Sequence, residues 1–264
     1  MFIDSERIIV TDSMAQNASK RRVVLKLSGE AFGDDEFKGH GLHIPTLAAV
    51  AAEIAKAVKL HGVQVAIVCG GGNQFRGADL AKQGVDRARA DYMGMLGTVI
   101  NAVALQDFLD QAGADTRVQS AIAMGQICEP YIPRRAIHHL EKGRVVIFAA
   151  GLGAPYFSTD TTCVQRALEI AACEVLVAKN GVGGVYNDDP RTNPAAKLFL
   201  DLKTADAVAM GLKVMDSTAF TLAMDNNLPL TIFDMLQAGN ITEALVDSSV
   251  GTHVAKNLET SYAS

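Results

Sequence analysis

Lys26 sits inside the apolar run "RVVLKL" (residues 22–27) and is followed at once by Ser28 and Gly29. A lysine at the end of a valine- and leucine-rich strand needs a compensating anion, because an unpaired buried ammonium is strongly disfavoured. Two partners are open: a carboxylate of the core, or a phosphate reached through the turn that follows. Three segments have the composition of glycine-bearing turns, "KLSGE" (26–30), "CGGGNQFRG" (69–77) and "AAGLGAPYFSTD" (149–160). Glycines at strand-to-helix turns let backbone N–H groups converge on one anion, and a helix N-terminus beyond them adds partial positive charge. Three such turns at strand ends point to a phosphate-bearing ligand.

Arg76, directly after the triple glycine, is a second candidate cation; a solvated surface arginine is the plainer reading. Asp91 and Asp160 stand near the starts of helical tracts, where N-capping would account for them. Asp160 also follows a glycine turn, so it could hold the lysine or organise metal-bound phosphates. A fourth segment, "AKNGVGGVYNDDPRTNP" (178–194), reads as a strand end, a hairpin and a turn, with Asp188-Asp189-Pro190 in the turn. The sequence carries no G-x-x-x-x-G-K-[ST] and no helix-opening G-x-G-x-x-G. It also lacks the protein-kinase set, G-x-S-x-G and H-E-x-x-H. The six histidines show no metal spacing, and the His138-His139 pair is expected on a helix surface.

These residues are carried by alternating β-rich and helical segments. "RVVLKL" leads to the helical "IPTLAAVAAEIAKAVKLHG", with Pro45 near its start and Gly62 as its stop. "VQVAIVC" precedes a long helical tract over about residues 86–112, closed by Gly113, in which the apolar stretch 92–108 suits either core or an interface. "RVVIFAAG", "DTTCVQRALEIAA" and "VLVAK" continue the pattern. Strands apolar on both faces and separated by helices predict a mainly parallel central sheet in a three-layer α/β/α sandwich, with binding loops at the strands' carboxyl ends. One domain over 21–256 is expected, after a loose N-terminal extension (1–20) and before a C-terminal tail (257–264).

At 264 residues, 49% hydrophobic and 20% charged, the chain can bury a sizeable core. A formal net charge of −5 argues against a nucleic-acid binder. No apolar stretch has membrane-spanning length, and the N-terminus lacks a signal-peptide core. Cys69, Cys128, Cys163 and Cys173 are dispersed, so reduced buried thiols in a cytoplasmic protein are expected rather than a zinc site or disulfides.

"LKLSGEAF", "GGGNQFRG", "DYMGML", "GLGAPYFSTD", "GVYNDDP" and "KVMD" occur in the order found in bacterial uridylate kinases of the amino acid kinase superfamily. The chain resembles that family from about residue 20 to 254. "KLSGE" alone marks only the superfamily, whereas "GGGNxFRG" with "DxMGML" marks the uridylate branch. The resemblance implies the superfamily's fold and transfer of the ATP γ-phosphoryl group to UMP, with Mg2+. It implies that Lys26, Leu27, Ser28 and Gly29 form the turn for the ATP phosphates, Lys26 reaching toward the transferred group. Gly71 would contact UMP, while Gly72 and Arg76 face nucleotide phosphates, and Asp91 would bind the UMP ribose. Leu152, Gly153, Ala154, Pro155, Tyr156, Phe157, Ser158 and Thr159 would complete the UMP pocket. Asp160 would organise the catalytic cations, and Asn180, Tyr186 and Asp189 would hold the adenine nucleotide. The family also implies a homohexamer activated by GTP and inhibited by UTP. Arg117 and Arg144 match arginines of the effector site, whereas Gln106 stands where some members have a third.

Two departures stand out. Gly183 replaces the usual aspartate of "VDGVY", and the loop "GDDEFKGHG" (33–41) is longer and more acidic than in some relatives. The acceptor would be a phosphate oxygen of UMP, mostly dianionic above roughly pH 6, so no general base is required. Magnesium would be held mainly by phosphates and water, and no protein metal ligand is assigned. A non-catalytic nucleotide-binding protein should have lost the phosphate cations or the organising acid, and Lys26, Arg76 and Asp160 are all present. An amino-acid or carbamate kinase fits less well, because "GGGNQFRG" and Asp91 suit a nucleotide acceptor.

Overall fold

In the computed structural model, which describes residues 20–33, 39–212 and 214–263, the apolar runs pair into one sheet. Its strands are β1 (Arg22–Leu27), β2 (Gln64–Cys69), β3 (Thr116–Ser120), β4 (Glu129–Pro130) and β5 (Val145–Ala149). They continue as β6 (Glu174–Lys179), β7 (Phe199–Lys203), β8 (Leu230–Asp234), β9 (Thr252–Ala255) and β10 (Ser261–Tyr262). The spatial order is β10-β7-β9-β8-β6-β1-β2-β5-β3-β4. Every pairing is parallel except β8–β9 and β7–β10. The expected mainly parallel sheet is therefore present, with β1 near its centre between β2 and β6.

The helices are α1 (Ile44–His61), α2 (Gly77–Lys82), α3 (Arg87–Gln111), α4 (Pro133–Glu141), α5 (Thr159–Glu169), α6 (Thr204–Ala209), α7 (Ser217–Asp225) and α8 (Asn240–Val246). α1 begins and ends as its punctuation dictates. Pro45 occupies the first turn, where its missing N–H is not needed, and Gly62 terminates the helix at φ +67°.

Strand alternation sorts the two cores. Val23, Leu25 and Leu27 face α1, α3 and α8, packing with Leu47, Ile54, Leu105 and Leu245. Val24 and its cross-strand partners Ala66 and Val175 face the other layer, with Ala136 and Leu140 of α4, Val164 and Ala167 of α5, and Phe220 of α7. Lys26, two residues after Val24, falls on that second face. It points where α5 begins, and the fold thereby chooses its partner.

Several local expectations are corrected. His138 is exposed, but His139 is buried, lodged between the Glu129 carboxylate (3.1 Å) and the Arg144 guanidinium (3.1 Å). Cys69, Cys128 and Cys163 are buried, whereas Cys173 is exposed. The 92–108 stretch is divided between core and surface. Met95, Val99, Ala102 and Leu105 enter the core, while Tyr92, Leu96, Ile100 and Val103 remain exposed on the opposite side of α3. The hairpin after Lys179 closes farther along than 194, through Asn187 N–H to Lys197 O and Phe199 N–H to Val185 O. Residues 261–262 beyond the expected domain end add β10, where Tyr262 stacks on Phe199 at 4.6 Å. Residues 1–19 of the expected extension and 34–38 of the 33–41 loop lie outside the described residues.

Leu25 is fully buried in the central strand. Leu25→Ala should therefore lower unfolding free energy by about 2–5 kcal/mol, read from urea denaturation. A loss below about 1 kcal/mol would mean that β1 is not the centre of the core.

Candidate active site

Lys26 is almost fully buried, and its Nζ lies 2.9 Å from Asp160 Oδ1. The ammonium approaches off the hydrogen-bonding direction, so Oδ1 is an ion-pair partner that accepts no proper hydrogen bond. Burial alone would push the Lys26 ammonium toward neutrality. The charge and contact of Asp160, with smaller help from Cys163 and Glu30, outweigh that and raise its pKa above the ordinary 10.5. A raised lysine pKa contributes stability that is complete below 10.5 and is lost as pH rises through the higher folded-state value. The cation is therefore present across the neutral range.

Asp160 is not an N-cap. Ser158 fills that position of α5, its Oγ accepting from the N–H groups of Asp160 and Thr161 at 3.0 Å each. The Ser158 hydroxyl in turn donates to Asp216, and Thr161 Oγ1 donates to the same carboxylate at 3.1 Å. Asp216 caps α7 by accepting from Ala219 N–H at 2.8 Å. One carboxylate thus pins the start of α5, which leaves the Asp160 side chain free to face Lys26. Asp91 likewise is not a cap. α3 starts with Asp86, which accepts from Arg89 N–H, and Asp91 lies one turn in.

A second lysine was missed by sequence reasoning. Lys179 ends β6 on the same sheet face as Lys26, by the alternation Val175, Val177, Lys179. Its ammonium donates to Val214 O, and burial, followed by the nearby Lys26 charge, lowers its pKa. The signal was available, since "VLVAKNG" repeats the pattern of "VVLKLSG": an apolar run, then lysine, then a glycine turn. Asp216, inside the quoted "KVMD", was also legible as an N-cap from the following "STAF".

The first two glycine turns meet each other. A Cβ on Gly29 would lie 2.6 Å from Gly72 N and 2.8 Å from Gly70 O, and one on Gly70 would lie 2.7 Å from Gly29 N. The demand for glycine here comes from backbone against backbone, ahead of any ligand. Gly71 packs as tightly on α3, where a Cβ would sit 2.6 Å from Gly94 O. Arg76 projects at the rim, more than half exposed, and pairs with the equally exposed Glu30. Such a surface pair is worth about 0–1 kcal/mol, so exchanging the carboxylate for a phosphate costs little.

These elements enclose a cavity of about 460 Å³. Lys26, Ser28, Gly29, Gly71, Gly72, Arg76 and Asp91 line it, with Leu152, Ala154, Phe157, Ser158, Thr159 and Asp160. Asp91 closes the far side, its oxygens accepting from Arg87 Nε and Tyr156 N–H at 2.8 Å each. A second cavity of about 480 Å³ shares Asp160 and is lined by Lys179, Asp216 and Phe220. A third, of about 610 Å³, shares Lys179 and holds Tyr186 and Asp189. The three form one trough, with Lys26, Asp160 and Lys179 at its waist. Of the remaining sequence candidates, Gly153, Pro155 and Tyr156 belong to the 150–158 loop without lining the cavity, and the Leu27 side chain lies in the core. Asn180 is exposed beyond Lys179 and lines none of the three.

Among the described residues no three His, Cys, Asp or Glu side chains cluster as a metal cage. Asp160, whose Oδ1 is paired with Lys26, is the carboxylate of the waist that could also meet a divalent ion carried in on phosphates, since such an ion needs only one or two carboxylates when phosphate and water fill its other positions.

A trough of this kind at the carboxyl ends of a parallel sheet, with one buried lysine, one half-buried lysine and glycine turns, has the chemistry to take anionic phosphate groups. The model of the amino acid kinase family matches residues 21–234, and the chain belongs to that family. The relatives it matches over nearly their whole length are uridylate kinases. That of Clavibacter michiganensis subsp. michiganensis is 60% identical over 92% of this chain and 100% of its own. That of Leifsonia xyli subsp. xyli is 59% identical over 90% and 99%. The UMP kinase structure from Bacillus anthracis superposes with a TM-score of 0.87 at 39% identity, covering 92% of this chain and 99% of that one. The Ureaplasma parvum UMP kinase gives 0.83 at 36% over 90% and 99%.

Asp160→Asn removes the charge that keeps Lys26 protonated while burial and the Lys179 charge remain. The Lys26 pKa should drop below 10.5, followed by 13C NMR of its Cε. An unchanged titration would remove Asp160 from its assigned role.

Proposed function

We propose that the protein transfers the γ-phosphoryl group of ATP to UMP, giving ADP and UDP, and thereby serves pyrimidine nucleotide biosynthesis. The observation that carries this reading is the continuous trough with buried Lys26 and half-buried Asp160 and Lys179 at its waist. The wide section beside Tyr186 and Asp189 suits the adenine nucleotide of the donor. The section between Asp91 and the 150–158 loop suits the acceptor, with the ribose against Asp91. Lys26, Lys179 and Arg76 offset the repulsion between two anionic phosphates, and the turns at 28–30 and 71–72 offer amides to the same charge. Magnesium, as the proposed divalent ion, supplies charge neutralisation on the donor phosphates. Asp160 both holds Lys26 and offers the oxygen nearest that work. The acceptor arrives ionised, so no residue needs to remove a proton.

A coupled assay with ATP and Mg2+ should give a higher kcat/KM for UMP than for CMP or dUMP; parity among the three would overturn the acceptor assignment. The acid limb of kcat/KM should follow the UMP phosphate at roughly pH 6 and shift with a more acidic acceptor analogue. A limb that stays put would reveal a titrating enzyme group.

The exposed stripe Tyr92, Leu96, Ile100 and Val103 on α3 supports self-association, since apolar residues so spaced form one face. The proposed assembly is a homohexamer in the cytoplasm; no helix among the described residues is long and apolar enough to cross a membrane. GTP activation and UTP inhibition are proposed with it. Both candidate effector arginines are tied to one carboxylate here: Arg144 Nε donates to Asp115 at 2.7 Å, and Arg117 Nη1 donates to it at 2.5 Å. An anionic effector would have to displace Asp115. Asp115→Asn should therefore lower the GTP concentration for half-activation, and an unchanged GTP response would separate these arginines from the effector. Light scattering should report a mass six times that of the chain, and a monomer would end the assembly proposal.

A further inference from the structure

Arg166 lies in the third turn of α5, is nearly inaccessible to solvent and lines none of the three cavities. Its guanidinium is divided among three partners. Nη1 donates to Glu169 Oε2 at 2.7 Å, Nη2 donates to the Gly151 carbonyl at 3.1 Å, and Cζ sits 3.7 Å from the centre of the Tyr131 ring. Tyr131 hydroxyl and Gln165 Nε2 donate to the same Glu169 carboxylate. Burial would raise the Glu169 pKa, but these three donors hold it below the ordinary value, so the carboxylate stays charged opposite the arginine.

This arrangement is a poor way to gain stability. Nε is buried with no acceptor, and a buried ion pair is commonly matched or exceeded by apolar side chains of similar volume. What an apolar side chain cannot do is hold a carbonyl. The carbonyl held is that of Gly151, where the chain leaves β5 through two successive left-handed residues, Ala150 at φ +60° and Gly151 at φ +56°. That conformation is strained for alanine and persists only when neighbours impose it. Thr98 Oγ1 accepts from Ala150 N–H at 2.8 Å on one side, and Arg166 takes Gly151 O on the other. In a trans peptide the carbonyl and the next N–H point in opposite directions. Fixing Gly151 O toward α5 therefore turns the Leu152 N–H away from it, at a residue that lines the acceptor cavity.

We propose that Arg166 is a positioning residue for the acceptor. It ties the Ala150–Gly151 turn to the helix that carries Asp160, and so sets where the 150–158 loop presents its backbone donors. The inference rests on the reading of that cavity as the UMP subsite. Interactions made equally with substrate and transition state appear in KM rather than kcat.

Arg166→Met and Arg166→Lys, the second keeping charge but losing the fork, should each raise the KM for UMP by about 10-fold, with kcat and the KM for ATP within about 2-fold. The Kd for UMP alone, measured calorimetrically, should rise in parallel. A merely structural role would lower Tm and the active fraction while leaving both KM values in place. If neither variant folds, Tyr131→Phe removes one donor to Glu169 but keeps the ring, and should move the UMP KM the same way by about 2- to 3-fold. A UMP KM and Kd unchanged in a folded variant, with wild-type turnover of UMP intact, would overturn the role of Arg166. A wild-type protein that neither binds nor phosphorylates UMP would overturn the subsite reading instead.

Discussion

The buried pair of Lys26 and Asp160 is the constraint around which the rest is arranged. Separating two such charges, one on a central strand and one on the second residue of a helix, would leave an uncompensated ion in the interior, a loss on the order of 3–5 kcal/mol. Keeping them together requires α5 to start at a fixed height above β1, and several otherwise unrelated features enforce that height. Ser158 caps the helix, Asp216 receives the Ser158 hydroxyl, and α7 is started by the same aspartate. Below the pair, Val24 and Val164 belong to one apolar layer. The electrostatic demand of one lysine is thus met by hydrogen bonds that reach two helices away.

Most of the frame was readable because its punctuation is strong. Pro45 and Gly62 bracket α1, Gly113 ends the α3 region, and runs such as "RVVLKL" have the two-sided apolarity of interior parallel strands. Lys26 was found because it breaks its apolar run, and Arg76 and Asp160 because each follows a glycine turn. Lys179 breaks it in the same way and was passed over, since a lysine before "NG" also reads as ordinary turn solvation. The burial of His139 and the sharing of Asp115 by two arginines were not legible. The first depends on β4 and α4 meeting in space and the second on the starts of β3 and β5 lying side by side, and no periodicity within one segment reports that. The glycines at 29 and 70 were identified for a different reason from the one the fold gives, because a ligand and a neighbouring backbone impose the same requirement on a residue.

The two lysines divide the electrostatics of the waist unevenly. Lys26 has a counter-ion and a strengthened charge, while Lys179 has a carbonyl and a weakened one. A site with both ammoniums fully compensated would offer little net attraction to phosphate. One with neither compensated would be hard to fold. The observed asymmetry leaves positive charge in the site while the lysine of the core is compensated.

The contact between Gly29 and Gly70 has a mechanical consequence. With backbone resting on backbone and no side chain between them, the two turns move as one body, anchored by β1 and β2 beneath. Substrate entry and product departure cannot be accommodated by parting them. Compliance has to come from elsewhere, and the 185–199 hairpin, whose arms meet in the isolated Tyr186–Leu198 bridge, is the element least tied to the sheet. The proposed phosphate sites therefore have a rigid anvil on one side and a yielding wall on the other. Changes that stiffen the hairpin would slow turnover even if every charged group stayed in place.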